Sequence, residues 1–312
     1  MEELRRVIRE MLAGGKVDLV IAYAKGSLPL RSTPVFIRNA EDAECAVFDA
    51  TCENNLSTYL PRYAGKRLAV VAKGCDARSV QEYLRERQLD PGNVVVIGVP
   101  CQGVIGRDRL SRRLSGKEIT GAEMDGDTVR VRGDGWEETL QLFEVLHPSC
   151  ETCEVKEAPG AAIKLGEAAA AQVAEPFALV DDMERLTPDE RWAYFTAQFE
   201  KCIRCYACRQ ACPGCYCKEC FVDRSAPRWV GGTDDPSDTA IFHIIRALHL
   251  AGRCVDCGAC VKACPMGVDL RALNKKLERD VRELFGFTAG LEHEGKQVLS
   301  TFRADDPNDF IK

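Results

Sequence analysis

The sequence predicts an α/β N-terminal domain with a mostly parallel sheet, followed by an α-helical domain organised around cysteines. Three observations predict it. In the first half, β-branched apolar runs bounded by Gly, Pro or Asn alternate with a helical stretch. In the second half, four cysteines closed by a proline occur twice, as Cys202, Cys205, Cys208, Cys212, Pro213 and as Cys254, Cys257, Cys260, Cys264, Pro265. Helix start and stop signals flank both copies.

Met1 to Leu12 interleaves Glu and Arg with Leu4, Val7, Ile8, Met11 and Leu12, which is helical spacing and not the unbroken apolar core of a signal peptide. Val17 to Ala24, Arg67 to Ala72 and Asn93 to Val99 read as buried strands. Between the last two, Asp76 to Gln88 reads as a helix with Asp76 as its cap and Val80 and Leu84 on its apolar face. Strand, helix, strand within about thirty residues is a βαβ unit. Thr128 to Arg132 and Glu137 to Leu142, joined by Gly133-Asp134-Gly135, read as a hairpin closing a domain at 1–154.

From 155 to 184 the composition shifts to Ala, Glu and Gly, with Ala168 to Ala171 unbroken, which reads as a linker. The second domain, 185–286, opens on Thr187-Pro188-Asp189-Glu190: an N-cap, a proline at the first helical position and a capping-box glutamate. Trp192, Phe195 and Phe199 share a face of that helix and lead into Cys202. Asp235-Pro236-Ser237-Asp238 starts a helix whose buried stripe is expected at Ile241, Ile244, Ile245 and Leu248, with Gly252 as its stop. After Pro265, Asp269 opens another, with Leu270, Leu273, Leu277, Val281 and Leu284 on its apolar side and Gly286 at its end. The polar tail 287–312, with Phe302 and Phe310, carries no periodicity.

At 312 residues the chain has room for about two domains. A net charge of -6 suggests neither nucleic acid nor an anionic membrane as partner. Disulfide scaffolds are short, whereas this chain of 17 cysteines is long and 29% charged, so metal ligation in a reducing compartment is the expected use of the thiols. No apolar run approaches the ~18 residues of a membrane span. The expected setting is cytoplasmic.

Each cysteine run has the Cys-x2-Cys-x2-Cys-x3-Cys-Pro spacing of two-cluster bacterial ferredoxins, in which the fourth cysteine ligates the cube of the other copy. The spacing therefore assigns Cys202, Cys205, Cys208 and Cys264 to one 4Fe-4S cluster, and Cys254, Cys257, Cys260 and Cys212 to another. Zinc sites ordinarily present two Cys-x2-Cys pairs instead.

Cys75, in Lys73-Gly74-Cys75-Asp76, and Cys101, in Gly98-Val99-Pro100-Cys101, fall at the carboxyl edge of the expected sheet, where open α/β folds bind ligands. Cys150 and Cys153 form a further Cys-x2-Cys pair, and Cys52 lies in Ala50-Thr51-Cys52-Glu53-Asn54-Asn55. Cys45 reads as a small buried packing residue. A nucleophilic Cys75 would need a base, and the four histidines, His147, His243, His249 and His293, lie elsewhere in the sequence.

Gly-Cys at one strand end, Gly-x-Pro-Cys at the next, then Cys150-x2-Cys153 and Ile163-Lys164-Leu165-Gly166 together resemble the β subunit of coenzyme F(420)-reducing hydrogenases and dehydrogenases, over roughly residues 15 to 170. The resemblance implies that Cys75, Cys101, Cys150 and Cys153 bind a 4Fe-4S cluster, with FAD beside it in that family. Lys73-Gly74-Cys75-Asp76 departs from the family's more usual Thr-Pro-Cys-Gln type, and no Gly-x-Gly-x-x-Gly run is present. Helices before and after each cysteine run in 185–286 resemble the α-helical ferredoxin domains of fumarate reductase and heterodisulfide reductase subunits.

Directly after Pro213 come three more thiols, Cys215, Cys217 and Cys220. Eight cysteines in the two runs and Cys45 set aside leave eight, enough for two further cubes and four in total. The simplest division gives one cube to Cys75, Cys101, Cys150 and Cys153 and another to the loop trio with Cys52; zinc on the trio is the alternative.

Two functions follow. The first is an electron-transfer subunit linking a hydrogenase, formate dehydrogenase or NADH module to a heterodisulfide-reductase-like flavoprotein, including in electron-bifurcating complexes. The second is a catalytic subunit whose α/β domain binds FAD and oxidises or reduces F(420) or a similar hydride carrier, in a pocket near Lys73, Cys75 and Asn54. Lys73 and Asn54 are by residue type ordinary surface residues. A redox sensor or cluster store is a third, weaker reading.

Overall fold

The computed structural model describes residues 1–167 and 175–300. The chain begins with α1 (Glu2–Ala13), then β1 (Leu19–Lys25), β2 (Ser32–Ile37) and the short β3 (Ala46–Val47), the last two antiparallel to β1. β4 (Leu68–Ala72), α2 (Gly74–Arg85) and β5 (Val94–Gly98) form the βαβ unit, with β4 parallel to both β1 and β5. After α3 (Arg107–Arg113) comes an antiparallel sheet of β6 (Gly121–Asp125), β7 (Thr128–Gly133) and β8 (Trp136–Gln141). α4 (Pro148–Glu151) precedes β9 (Ile163–Lys164), which extends the main sheet beside β5 to give the order β2-β1-β4-β5-β9. The helical half holds α5 (Ala178–Arg185), α6 (Pro188–Glu200), α7 (Ala207–Gln210), α8 (Pro236–His249), α9 (Ala259–Lys262) and α10 (Arg271–Phe285).

β4 is buried along its whole length because the sheet is covered on both faces, which is why it reads as a continuous apolar run. Val20, Ala22, Ala69 and Val71 point to α1, where Leu4, Ile8 and Met11 meet them. The alternate residues Leu19, Ile21, Leu68 and Val70 point to the α2 side, with Val80 and Tyr83. α2 starts two residues earlier than expected: Gly74 is its first residue, and Asp76 stands at its third position, where the carboxylate accepts from Lys73 N at 3.0 Å.

β2, β6 and β9 escape the sequence reading. β2 carries Pro34 and is an edge strand, where a missing N–H is tolerated but the apolar pattern is weak. β9 is two residues long and lies within 155–184, as does α5; the run Ala168 to Ala171 lies outside the described residues, as do Phe302 and Phe310. Thr187 caps α6 as the sequence predicts, accepting from Glu190 N while Glu190 accepts from Thr187 N at 2.7 Å.

α8 turns inward a different face from the one its apolar periodicity predicts, and α10 buries polar residues alongside the predicted apolar ones. In α8, Ile241, Ile244 and Leu248 are exposed and Ile245 half-buried, and Phe242, His243, Arg246 and Ala247 are buried. In α10, Val281 is buried as expected, as is Leu270 at its cap, with Leu273 and Leu277 half-buried and Leu284 exposed; Arg271, Asn274, Lys275 and Glu278 are buried beside them. The reason is what lies inside: the apolar core of this half is small, centred on Phe199, Val268 and Leu270. Alongside further apolar residues such as Phe242 and Leu250, the interior holds cysteine sulfurs, backbone carbonyls and the buried acid Asp256, which Arg271 holds at 2.7 and 2.8 Å and Lys275 at 3.4 Å. Such groups demand polar neighbours.

The halves dock along α2. Arg78 donates to Ala289 O (2.8 Å) and Val255 O (3.1 Å), and Gly290 N donates to Glu82 Oε1 (2.6 Å). Further along, Arg85 donates to Glu294 O at 2.6 Å. Arg253 pairs with Glu86, and Arg271 reaches Thr152.

Candidate metal centre

The two cysteine runs share one backbone. Arg204 (φ 52°) and Tyr206 (φ 59°) in the first, and Asp256 (φ 49°) and Gly258 (φ 67°) in the second, occupy the left-handed region at matching positions. α7 and α9 follow, carrying Cys208 and Cys260. For residues other than glycine this conformation costs roughly 1–2 kcal/mol each, so its recurrence marks a built feature. Close by, backbone N–H groups are aimed at sulfur: Arg204 N donates to Cys202 Sγ at 3.4 Å and Val268 N to Cys264 Sγ at 3.3 Å. Gly258 replaces the tyrosine of the first run because a Cβ there would lie 2.6 Å from Ser149 Oγ and 2.7 Å from His147 Cε1. The second run therefore presses directly on α4.

Three cavities gather the thiols. Cys202, Cys205, Cys208 and Cys264 line one. Cys212, Cys254, Cys257 and Cys260 line a second. Cys75, at the start of α2, meets Cys101 beyond β5, Cys150 in α4 and Cys153 just after it around a third. They stand in a row with common walls: Arg246, Cys260 and Val261 border the first and second, Asp256 and Cys257 the second and third.

Burial raises the thiols of Cys101, Cys208 and Cys260, each to about 11, so at neutral pH they carry protons that a binding metal must displace. Cations are placed to help. Lys73 is only 2% exposed, which overturns its reading as a surface residue. Its ammonium lies 2.8 Å from Asp76 Oδ2, donates to Asn54 O at 2.8 Å and also reaches Tyr23. Burial opposes that charge, but Asp76, Tyr23, Cys75 and Cys101 outweigh it and hold the ammonium protonated. Lys262 Nζ donates to Cys257 O at 3.0 Å and Lys156 Nζ to Cys150 O at 3.0 Å.

His243 stacks on Phe199 with its Nε2 3.3 Å from Cys202 Sγ. Burial, with Arg246 and Arg204 nearby, lowers its pKa to about 4, so it is neutral at pH 7 and has one N–H to give. His243 and Arg246 were not singled out by the sequence reading. The available signal was two polar residues at i, i+3 in a helix otherwise apolar over Ile241 to Leu248.

The remaining thiols line none of the three cavities. Cys52 is fully buried in the core against α2, taking a hydrogen bond from Asp49 N at 3.5 Å, and it shares no cavity described above with the loop trio. Cys215 lies against Cys212, Cys217 is exposed and Cys220 sits beside Arg209. Cys45, expected to be buried, is exposed at the end of a 3-10 turn.

Among the described residues, no three Cys, His, Asp or Glu side chains converge as a single ion requires. Five thiols line the first and third cavities and four the second, because Cys260 and Cys257 stand in the common walls; a 4Fe-4S cube in each would take four of them, each thiolate binding a different iron. No helix among the described residues is long and apolar enough to cross a membrane.

No family model matches the chain. It is 24% identical to the F420-dependent formate dehydrogenase subunit beta of Methanocaldococcus jannaschii, covering 89% of this chain and 88% of that one. It is 23% identical to the F420-dependent formate dehydrogenase 1 subunit beta of Methanococcus maripaludis, covering 94% and 91%. The chain is similar to these beta subunits over most of its length. A chain of the F420-reducing [NiFe] hydrogenase complex from Methanosarcina barkeri aligns with a TM-score of 0.39 and 18% identity, over 49% of this chain and 59% of that one.

Proposed function

We propose that this chain is the iron-sulfur electron-transfer subunit of an oxidoreductase complex, holding three 4Fe-4S clusters in the three cavities. The observation that carries the reading is the row of cysteine-lined cavities with common walls, since adjacent one-electron sites make a conduit. Bound clusters supply one-electron transfer. The protein's own part is to hold them by Cys202, Cys205, Cys208 and Cys264, by Cys254, Cys257, Cys260 and Cys212, and by Cys75, Cys101, Cys150 and Cys153. The N–H groups of Arg204, Val268 and Val104, the last donating to Cys150 Sγ at 3.4 Å, and His243 at Cys202 tune potential through hydrogen bonds to sulfur. Lys73, Arg246 and Lys262 supply positive charge where thiolates must form.

The names of the relatives support a formate dehydrogenase module as one partner. The likeness of the helical half to heterodisulfide reductase subunits supports a flavoprotein of that kind as the other.

A second reading, FAD-dependent catalysis on F(420), is favoured by the relatives' names and by an open cleft of about 630 Å³. Arg31, Arg107, Arg109, Arg112 and Lys262 line that cleft with Glu53, Asp108 and Asp269, and Glu53 already pairs with Arg31 and Arg107; the excess of cations is what favours a phosphate-bearing cofactor. Of the expected pocket, Lys73 and Cys75 line the third, cysteine-rich cavity instead.

Iron, acid-labile sulfide and flavin are to be quantified on anaerobically purified protein. The conduit reading expects about twelve irons, four for each cube, and no flavin. Stoichiometric flavin with F(420) oxidation by the isolated chain would establish the second reading, and iron-free protein would overturn both.

A further inference from the structure

Arg246 stands in the wall between the first and second cavities and lines both. It is 5% exposed, its Nε has no hydrogen-bond partner, and its Nη2 donates to Cys208 O at 3.3 Å. No carboxylate forms an ion pair with it among the described residues. Taking a guanidinium out of water costs several kcal/mol unless negative charge meets it. The candidates for that charge are sulfurs of both sites: Cys208 belongs to the first, Cys212 and Cys260 to the second, and all three act on Arg246 together with Cys215. Burying this arginine means turning α8 so that Ile241, Ile244 and Leu248 face outward.

We propose that Arg246 is a charge shared by the two ferredoxin-type sites, making reduction of either one less costly and limiting how far reduction of one opposes reduction of the other. This rests on reading the two cavities as iron-sulfur sites. Each reduction adds one negative charge, and sites with a common wall repel one another's electrons through a medium of low dielectric. A fixed cation touching both offsets that repulsion at both. When an electron crosses the wall, one site is oxidised by one and the other reduced by one. Arg246 gives up no proton, because a guanidinium stays charged at any working pH. Its planar fork also suits the place better than an ammonium, since separate N–H groups can face separate sites.

The test uses the full chain, purified without oxygen, as wild type, Arg246→Gln and Arg246→Lys. Iron and sulfide are quantified and midpoint potentials followed by EPR-monitored titration, with signals assigned through Cys264→Ala and Cys101→Ser. The Gln variant, which keeps a donor but not the charge, is expected to retain its iron and to shift both ferredoxin-type potentials downward, with the third site unmoved. The Lys variant is expected to restore most of the shift. Movement of only one site, equal movement of all three, or no movement would overturn the proposal. So would iron loss from the Lys variant, which would show that the guanidinium serves packing and not charge. An iron-free wild-type chain would instead remove the underlying reading, and this proposal with it.

Discussion

Arg78→Ala tests how the helix that carries Cys75 is fixed to the helical half. Arg78 lies one turn beyond Cys75 on α2 and is buried, with hydrogen bonds to Ala289 O at 2.8 Å and to Val255 O at 3.1 Å. Val255 stands between Cys254 and Asp256, so one side chain ties the third cavity's helix to the loop of the second. Hydrogen bonds from a charged donor are each worth about 1.5–3 kcal/mol. Glu278, 3.9 Å from Arg78, keeps Lys275 at 3.0 Å and is not left as an unpaired charge. The loss is therefore set by the two carbonyl contacts, at about 3 kcal/mol once the relieved burial of a guanidinium is set against them. That is roughly a hundredfold in the equilibrium between docked and separated halves. Anaerobic hydrogen exchange should show faster exchange in α2 and in 286–297, and urea should unfold the variant at a lower midpoint. Unchanged exchange in both segments, with an unchanged midpoint, would refute the claim that Arg78 fastens the halves.

Further predictions concern the thiols and one buried acid. Cys264→Ala should empty the site of Cys202, Cys205 and Cys208 and spare that of Cys254, Cys257 and Cys260; EPR of the variant showing the reverse loss would reverse the ligand assignment. Cys101→Ser should lower iron by about a third, one cube of three, and leave both ferredoxin-type signals intact. Burial pushes the Glu82 carboxyl up to about 7, although Oε1 accepts from Gly290 N at 2.6 Å. Because this pKa is raised in the folded state, Glu82 costs stability as pH climbs from about 4.5 to about 7, with no further change above. Glu82→Gln should therefore stabilise the protein by up to about 3 kcal/mol at pH 8 and by much less near pH 5, measured by urea unfolding; an equal gain at both would sink the assignment.

The βαβ unit was legible because β4 and β5 are covered on both faces and so carry unbroken apolar runs between turn residues. β2, an edge strand with a proline, and β9, two residues long, carry too little pattern to be seen. Periodicity located α8 and α10 but misplaced the buried face of α8 and missed the buried polar residues of α10, since its default of apolar residues inward presumes an apolar interior. Cys52 was counted as a candidate ligand because a sequence counts thiols without placing them; in the fold it packs among Leu56, Tyr23 and Ala77.

By itself the sequence determined the local geometry of this protein: two runs whose cysteine spacing dictates the same backbone twice, and the strand ends on which Cys75 and Cys101 stand. Spacing acts within a few residues, where covalent geometry dominates. Only the tertiary structure decided that three cavities stand in a row, that Arg78 joins α2 to the second run, and that Arg246 lies between two sites. Those facts depend on the docking of segments far apart in the chain, where the orientation of a helix follows from what it must bury and not from its own periodicity.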